Sequence, residues 1–201
     1  VLEETDFEGW LTQLEAAGAF AFDTETTSLD YMRARIVGVS FAVEAGRAAY
    51  VPLAHTYPGA PEQLDRDTVL GRLKPLLEDP ERPKIGHHLK YDAHVLANHG
   101  IELKGIAFDT MLESYVLNST ATRHDMDSVA RKYLGIETTH YEDVAGKGAK
   151  QIGFDEVALE QAGPYAAEDA DVTLRLHAEL WPRIEAEEGL EYIYTDIERA
   201  L

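Results

Sequence analysis

Apolar residues fall in short blocks along the first half of the chain, each closed by a polar turn. Trp10, Leu11 and Leu14 recur at helical spacing behind Thr5 and Asp6, which predicts a first helix capped by one of those two residues and ended by Gly18. Ala19 to Phe22 form a short continuous apolar run, predicting a buried strand that ends at Asp23. Residues 26–34 read as a polar connection. Ile36 to Val43 and Ala48 to Leu53 predict two further strands joined by a short turn, Glu44 to Arg47. Three strands linked this closely predict an antiparallel meander.

Beyond a loop rich in Pro and Gly (His55 to Gln63), the period changes. Val69, Leu70, Leu73, Leu76 and Leu77 mark a helix capped by Asp65 or Asp67. Lys84 to Gly86 and Gly105 to Phe108 predict short strands, each followed by a helix (Leu89 to Asn98, then Thr110 to Leu117). Strand-helix alternation of this kind implies parallel pairing. A helix from Met126 to Leu134 leads into a looser segment, 136–153, containing a Gly146-Lys-Gly148 turn. Phe154 to Gln161 predicts a short helix, and Pro164 suits the first position of a long one running to about Pro182. The reading is one α/β domain over 1–189, with 190–201 starting a further helix.

Composition narrows the function classes. With 37 acidic residues against 18 Lys plus Arg, the formal net charge is -19, which disfavours broad electrostatic coating of a duplex. An acidic protein can still hold a nucleic-acid end where metal ions supply positive charge. The chain has no cysteine, so disulfides and thiolate zinc sites are excluded. No apolar run approaches the roughly 18 residues of a membrane span, and no signal-peptide pattern opens the chain. The expectation is a soluble, cytoplasmic protein with no membrane partner.

Candidate chemistry centres on the end of the first strand. Asp23 and Glu25 stand two apart, so an extended backbone aims both at one face. Like charges so close repel and are costly to desolvate, a cost that a divalent cation removes. By itself, D-x-E is as readily a solvated strand end. Later, Tyr165 and Asp169 fall on one helix face while Glu168 and Asp171 point away from it. Asp92 sits early in a helix, where an acid ordinarily serves the dipole.

Taken in order, these acids and the tyrosine resemble the DEDD exonuclease superfamily. Five strings carry the likeness further: FDTETTSLD (22–30), HHLKYDAHVLANHGIEL (87–103), GIAFDTMLESYVLNS (105–119), RHDMDSVA (123–130) and YAAEDADVTLRLH (165–177). They resemble the proofreading domain of bacterial DNA polymerase I, a family A polymerase, over nearly the whole chain. The resemblance implies a ribonuclease-H-like fold with a mixed five-stranded sheet, antiparallel strands first and parallel ones after, flanked by helices. It implies a 3′-5′ exonuclease that hydrolyses single-stranded or frayed DNA 3′ ends to deoxynucleoside monophosphates. Asp23, Glu25 and Asp169 would hold one divalent cation, and Asp23 with Asp92 a second. These would be Mg²⁺ or Mn²⁺, with Zn²⁺ admitted at the first position. Tyr165 would aim the attacking water. Substrate contacts would come from Thr24, Leu29 (wedged against the terminal bases), His87, His88, Arg123 and Tyr141 (an aromatic on the single strand). His87-His88 departs from the Gln-Asn common in the family. Adjacent histidines without cysteine partners do not match zinc-site spacing.

The resemblance also implies a monomeric, nucleoid-associated bacterial chain in which a polymerase domain follows residue 201, and it leaves open whether a 5′ nuclease precedes residue 1. Other readings remain open at this point. One is an exonuclease-like domain with a purely structural role beside a polymerase. Another is an RNA 3′ exonuclease of the same superfamily, and a third is an acidic protein-interaction module.

The chemistry accounts for the residue types. Phosphodiester hydrolysis needs an activated nucleophile, in-line attack and charge neutralisation at the leaving oxygen, and two cations held by carboxylates meet these needs. A phenol with its ordinary pKa near 10 is a poor base at neutral pH, so Tyr165 is assigned positioning.

Overall fold

Residues 1–200 are described by a computed structural model, and they form a five-stranded sheet between two layers of helices. The strands are β1 (Phe20–Thr26), β2 (Ile36–Glu44), β3 (Arg47–Pro52), β4 (Lys84–Gly86) and β5 (Ile106–Asp109). Their order is β3-β2-β1-β4-β5. The first three pair antiparallel, and β1-β4 and β4-β5 pair parallel. This is the meander followed by helix-strand units that the periodicity predicts.

Alternation along β1 sets the two faces of the domain. Phe20 and Phe22 enter the larger core with Phe7, Leu11, Leu14, Phe41 and Leu73, beneath α1 (Glu4–Ala16), α2 (Arg66–Leu77) and α3 (Leu89–Ala97). Ala21, one residue out of phase, packs on the opposite side with Ala42, Ile85 and Ala170. That side is covered by α7 (Leu159–Ala186), a 28-residue helix. Its Ala162, Ala166 and Ala170 repeat every four residues and are fully buried, so the helix lies close to the sheet. Around it stand α4 (Thr110–Leu117), α5 (Met126–Tyr133) and α6 (Tyr141–Ala145).

Three expectations are corrected. The first helix begins with Glu3 at its cap position and no side-chain cap bond, so neither Thr5 nor Asp6 caps it; both lie within the helix, which ends at Ala16 before Gly18. The segment 136–153 contains α6 and a 3₁₀ turn at Gly148–Lys150. Residues 154–161 are not one helix: a 3₁₀ turn at Phe154–Glu156 precedes α7, which already begins at Leu159. Pro164 is therefore inside α7. Its missing N–H leaves the carbonyl of Glu160 without an intrahelical donor, which is tolerable because Glu160 is exposed to water. The further helix expected from residue 190 is present, as α8 (Leu190–Tyr192) running into a π-helical stretch, Ile193–Glu198. There Tyr194 is fully buried, and its hydroxyl accepts from the Asp109 N–H at 2.7 Å.

Candidate active site

The site lies where β1 outruns its neighbour. β4 pairs with β1 only at Phe20 and Ala21 and then ends at Gly86. From Asp23 onward, that edge of β1 faces the start of α3 instead of a strand. Crevices outside the carboxyl ends of parallel strands are common ligand sites in α/β sheets.

Asp23 and Glu25 share the α7 face of β1, and α7 brings Asp169 to meet them. One carboxylate oxygen from each of the three lies within 4.8 Å of the others. Asp92 approaches across the open edge. Thr24, on the opposite face, binds it twice: its N–H donates to Asp92 Oδ1 at 3.0 Å and its hydroxyl to the same oxygen at 2.6 Å. Asp92 is 2% exposed and Glu25 8%.

Electrostatics follow from this crowding. Burial is the main cause that raises all four carboxyl groups above their ordinary values. The charge of Asp23 adds to the rise at Glu25, Asp92 and Asp169. Asp23 itself is raised to about 7, with the Thr24 backbone bond opposing the rise. A hard dication answers both causes, since it replaces lost hydration and separates like charges. The oxygen-only donor set therefore fits Mg²⁺ or Mn²⁺.

Tyr165 stands one turn before Asp169 on α7. Burial, then the charges of Asp169 and Glu25, push its phenol far above the ordinary value. Its ring is held from outside by Phe154 at 5.8 Å and Tyr141 at 6.3 Å, and these two stack on each other at 6.2 Å. Phe154 also meets Tyr50 and His55 edgewise or tilted. The Tyr50 hydroxyl bonds His55 Nε2 at 2.8 Å, and His55 Nδ1 bonds the Val157 carbonyl at 3.0 Å. Gly38 makes room for this arrangement, because a Cβ there would stand 2.1 Å from the Tyr50 hydroxyl.

The other sequence-derived candidates lie at varying distance from this cluster. Thr24 is spent on Asp92. Leu29 is 93% exposed on the loop after β1, and Tyr141 is 36% exposed at the start of α6. Arg123 is exposed and paired with Asp125 at 3.4 Å. His87 is half-buried, its Nδ1 bonding Thr110 Oγ1 at 2.8 Å, so the ring is turned toward α4. His88 has φ 64° and is the one non-glycine residue with positive φ among those described. Its N–H and that of Leu89 both donate to the Asp109 carboxylate. Glu168 and Asp171 point away as predicted, accepting from the N–H groups of Thr139 and Gly46.

Sequence reasoning missed several contributors. Tyr91, in the first turn of α3, bonds Thr26 Oγ1 at 2.5 Å and the Ser28 carbonyl at 2.6 Å. Phe154 is the common neighbour of Tyr50, Tyr141 and Tyr165. Asp109 caps α4 through Met111 N–H while holding the start of α3. The position of Tyr91 beside Asp92 was the available signal. For Phe154 and Asp109 there was none, since their partners are distant in sequence.

Comparison with known proteins agrees with this geometry. A family model described as 3′-5′ exonuclease matches residues 1–185. DNA polymerase I of Pseudomonas aeruginosa is 65% identical over 100% of this chain, which spans 22% of that relative's length. Among solved structures, the POL domain of Pol1 from M. smegmatis aligns with TM-score 0.73 at 20% identity, over 99% of this chain and 30% of that one. Escherichia coli RNase D aligns with TM-score 0.70 at 19% identity, over 98% and 47% respectively. The fold is ribonuclease-H-like.

Proposed function

The chain belongs to the 3′-5′ exonuclease domain family of bacterial DNA polymerase I, and from that premise we propose that it hydrolyses single-stranded or frayed DNA from the 3′ end. The products are deoxynucleoside monophosphates. In this reading the domain proofreads for a polymerase domain of the same parent chain. The observation that carries the reading is the meeting of Asp23, Glu25 and Asp169 within 4.8 Å, with Asp92 and Tyr165 beside them.

Asp23, Glu25 and Asp169 would hold one divalent cation, and Asp23 with Asp92 a second. Two such cations supply a nucleophile at neutral pH and stabilise charge on the leaving 3′ oxygen. The protein's own groups do the rest. The four carboxylates remain ionised when their charge is balanced. Thr24 fixes the Asp92 oxygen through two donors. Tyr165 keeps its proton, because its phenol is raised, and so serves as a hydrogen-bonding group that orients water.

Selection of errors follows from threading. Leu29 and Tyr141 offer exposed apolar and aromatic surface, and in this reading the strand end threads between them, where stacking tolerates any base. Unpairing a matched end costs more than unpairing a mismatched one, so errors are removed preferentially.

The test is trimming of matched DNA and RNA oligonucleotides labelled at the 5′ end, with Mn²⁺ or Mg²⁺ and with EDTA. A metal-dependent ladder on DNA, releasing deoxynucleoside 5′-monophosphates, is expected. Faster trimming of RNA would transfer the reading to the ribonuclease branch of the superfamily. No trimming by folded protein that binds Mn²⁺ would contradict the activity.

A further inference from the structure

We propose that Asn98 is a positioning residue that clamps the Leu29 loop to α3, so that the helix bearing Asp92 also sets where Leu29 stands. The inference rests on the exonuclease reading above for its consequence at DNA ends, but its structural basis is independent.

The loop between β1 and β2 exposes an unusual amount of apolar surface: Leu29 is 93% exposed and Met32 70%. A loose loop with such side chains would fold back and bury them. This one is pinned along its length. Tyr91, His94 and Asn98 lie at i, i+3 and i+7, one face of a helix, and each holds a different point. The Tyr91 hydroxyl donates to the Ser28 carbonyl at 2.6 Å. The His94 ring stacks on Tyr31 at 4.6 Å. The Asn98 amide donates to the carbonyls of Tyr31 at 2.7 Å and Ala34 at 3.1 Å. Inside the loop, Asp30 accepts from the N–H groups of Met32 and Ala34. Leu29 therefore stands between two anchored points with its side chain in water.

A rigid mount matters because Asp92 is on the same helix. The separation between the apolar side chain and the carboxylates is then fixed by one element. On a paired end, Leu29 must replace the stacking lost when the last pair opens, and a displaced Leu29 forfeits that contribution. A strand that is already single has no pairing cost to offset, so it depends less on the clamp.

Asn98→Ala is expected to slow trimming of matched duplex 3′ ends about fivefold, the effect of losing one or two partly exposed hydrogen bonds. Trimming of the same strand alone should stay within about twofold. In a Leu29→Ala background the Asn98→Ala effect on duplex ends should vanish. His94→Ala, on an exposed position, provides a second variant if Asn98→Ala folds poorly, and the same bias toward single strands is expected. Amide exchange of residues 27–35 should quicken in both variants. Unchanged exchange in the folded variants overturns the clamp. Quickened exchange with equal losses on single and paired substrates overturns its role in substrate choice. If the unaltered chain trims nothing, the exonuclease reading fails, and the role in substrate choice with it, while amide exchange still decides the clamp.

Discussion

Thr24 donates twice to one oxygen of Asp92, from its N–H at 3.0 Å and from its hydroxyl at 2.6 Å. The strand that carries Asp23 and Glu25 thus also aims the carboxylate brought by α3. Outer-shell bonds to ligating carboxylates typically account for 10- to 100-fold in metal affinity or activity. Thr24→Val keeps shape and the N–H but loses the hydroxyl. The Mn²⁺ concentration for half-maximal trimming should rise about tenfold, read from a metal titration of rate. An unchanged midpoint would remove the Thr24 hydroxyl from any role in aiming Asp92 and leave that to the N–H alone.

The raised carboxyl groups make a prediction about the protein without metal. Asp23 titrates ordinarily at 3.8 and at about 7 in the fold. A group raised in the folded state contributes stability fully below its unfolded value and loses it as pH climbs through the folded one. In EDTA, the melting temperature should therefore fall between pH 4 and about pH 7–8. Asp23→Asn should flatten that decline and stabilise the metal-free protein at pH 8 by roughly 1–4 kcal/mol. With Mn²⁺ the trend reverses, because the ligands must be deprotonated to bind. Thermal scans across pH, with and without Mn²⁺, check both signs.

Tyr165 is expected to act with its proton in place. Its phenol is raised by burial and by Asp169 and Glu25, so no phenolate forms near neutral pH. Tyr165→Phe should lower kcat about 10- to 100-fold while leaving Mn²⁺ binding near its original midpoint. The pH-rate profile from pH 6 to 9 should keep its shape. A limb that disappears from the profile in Tyr165→Phe would assign the residue a proton-transfer role instead.

Phe154 joins stability to the site. It is fully buried and shares faces or edges with Tyr50, Tyr141 and Tyr165. Phe154→Ala should cost roughly 3–5 kcal/mol, measured by denaturant unfolding. Trimming should fall in the folded variant as well, because Tyr165 loses its lateral support. Full activity in a folded Phe154→Ala protein would separate the aromatic cluster from catalysis.

The residues that could be read from sequence are those governed by local periodicity. Alternation along β1 put Asp23 and Glu25 on one face, and the four-residue spacing put Tyr165 beside Asp169; both hold in the structure. The antiparallel meander and the parallel pairing of the later strands followed from linker lengths. Where prediction failed, a nonlocal partner or a compensated rule decided the outcome. Pro164 marks a helix start by its chemistry, yet α7 begins at Leu159, because only a solvated carbonyl loses its donor. Asp109 caps its own helix in the structure, and nothing nearby in the sequence announces that it also holds His88 and Leu89. The bond from the Thr24 hydroxyl to Asp92 was likewise out of reach, because the two residues are distant in sequence.

The central claim is that the carboxylate cluster is a metal-dependent 3′ exonuclease site, and Asp169 tests it most directly. A 5′-labelled single-stranded DNA oligonucleotide would be incubated in Mn²⁺ with the unaltered chain and with folded Asp169→Ala. The account predicts a ladder shortening from the 3′ end with the unaltered chain, lost in EDTA and reduced at least about 100-fold in the variant. Equal trimming by both proteins would place the chemistry elsewhere and contradict the account.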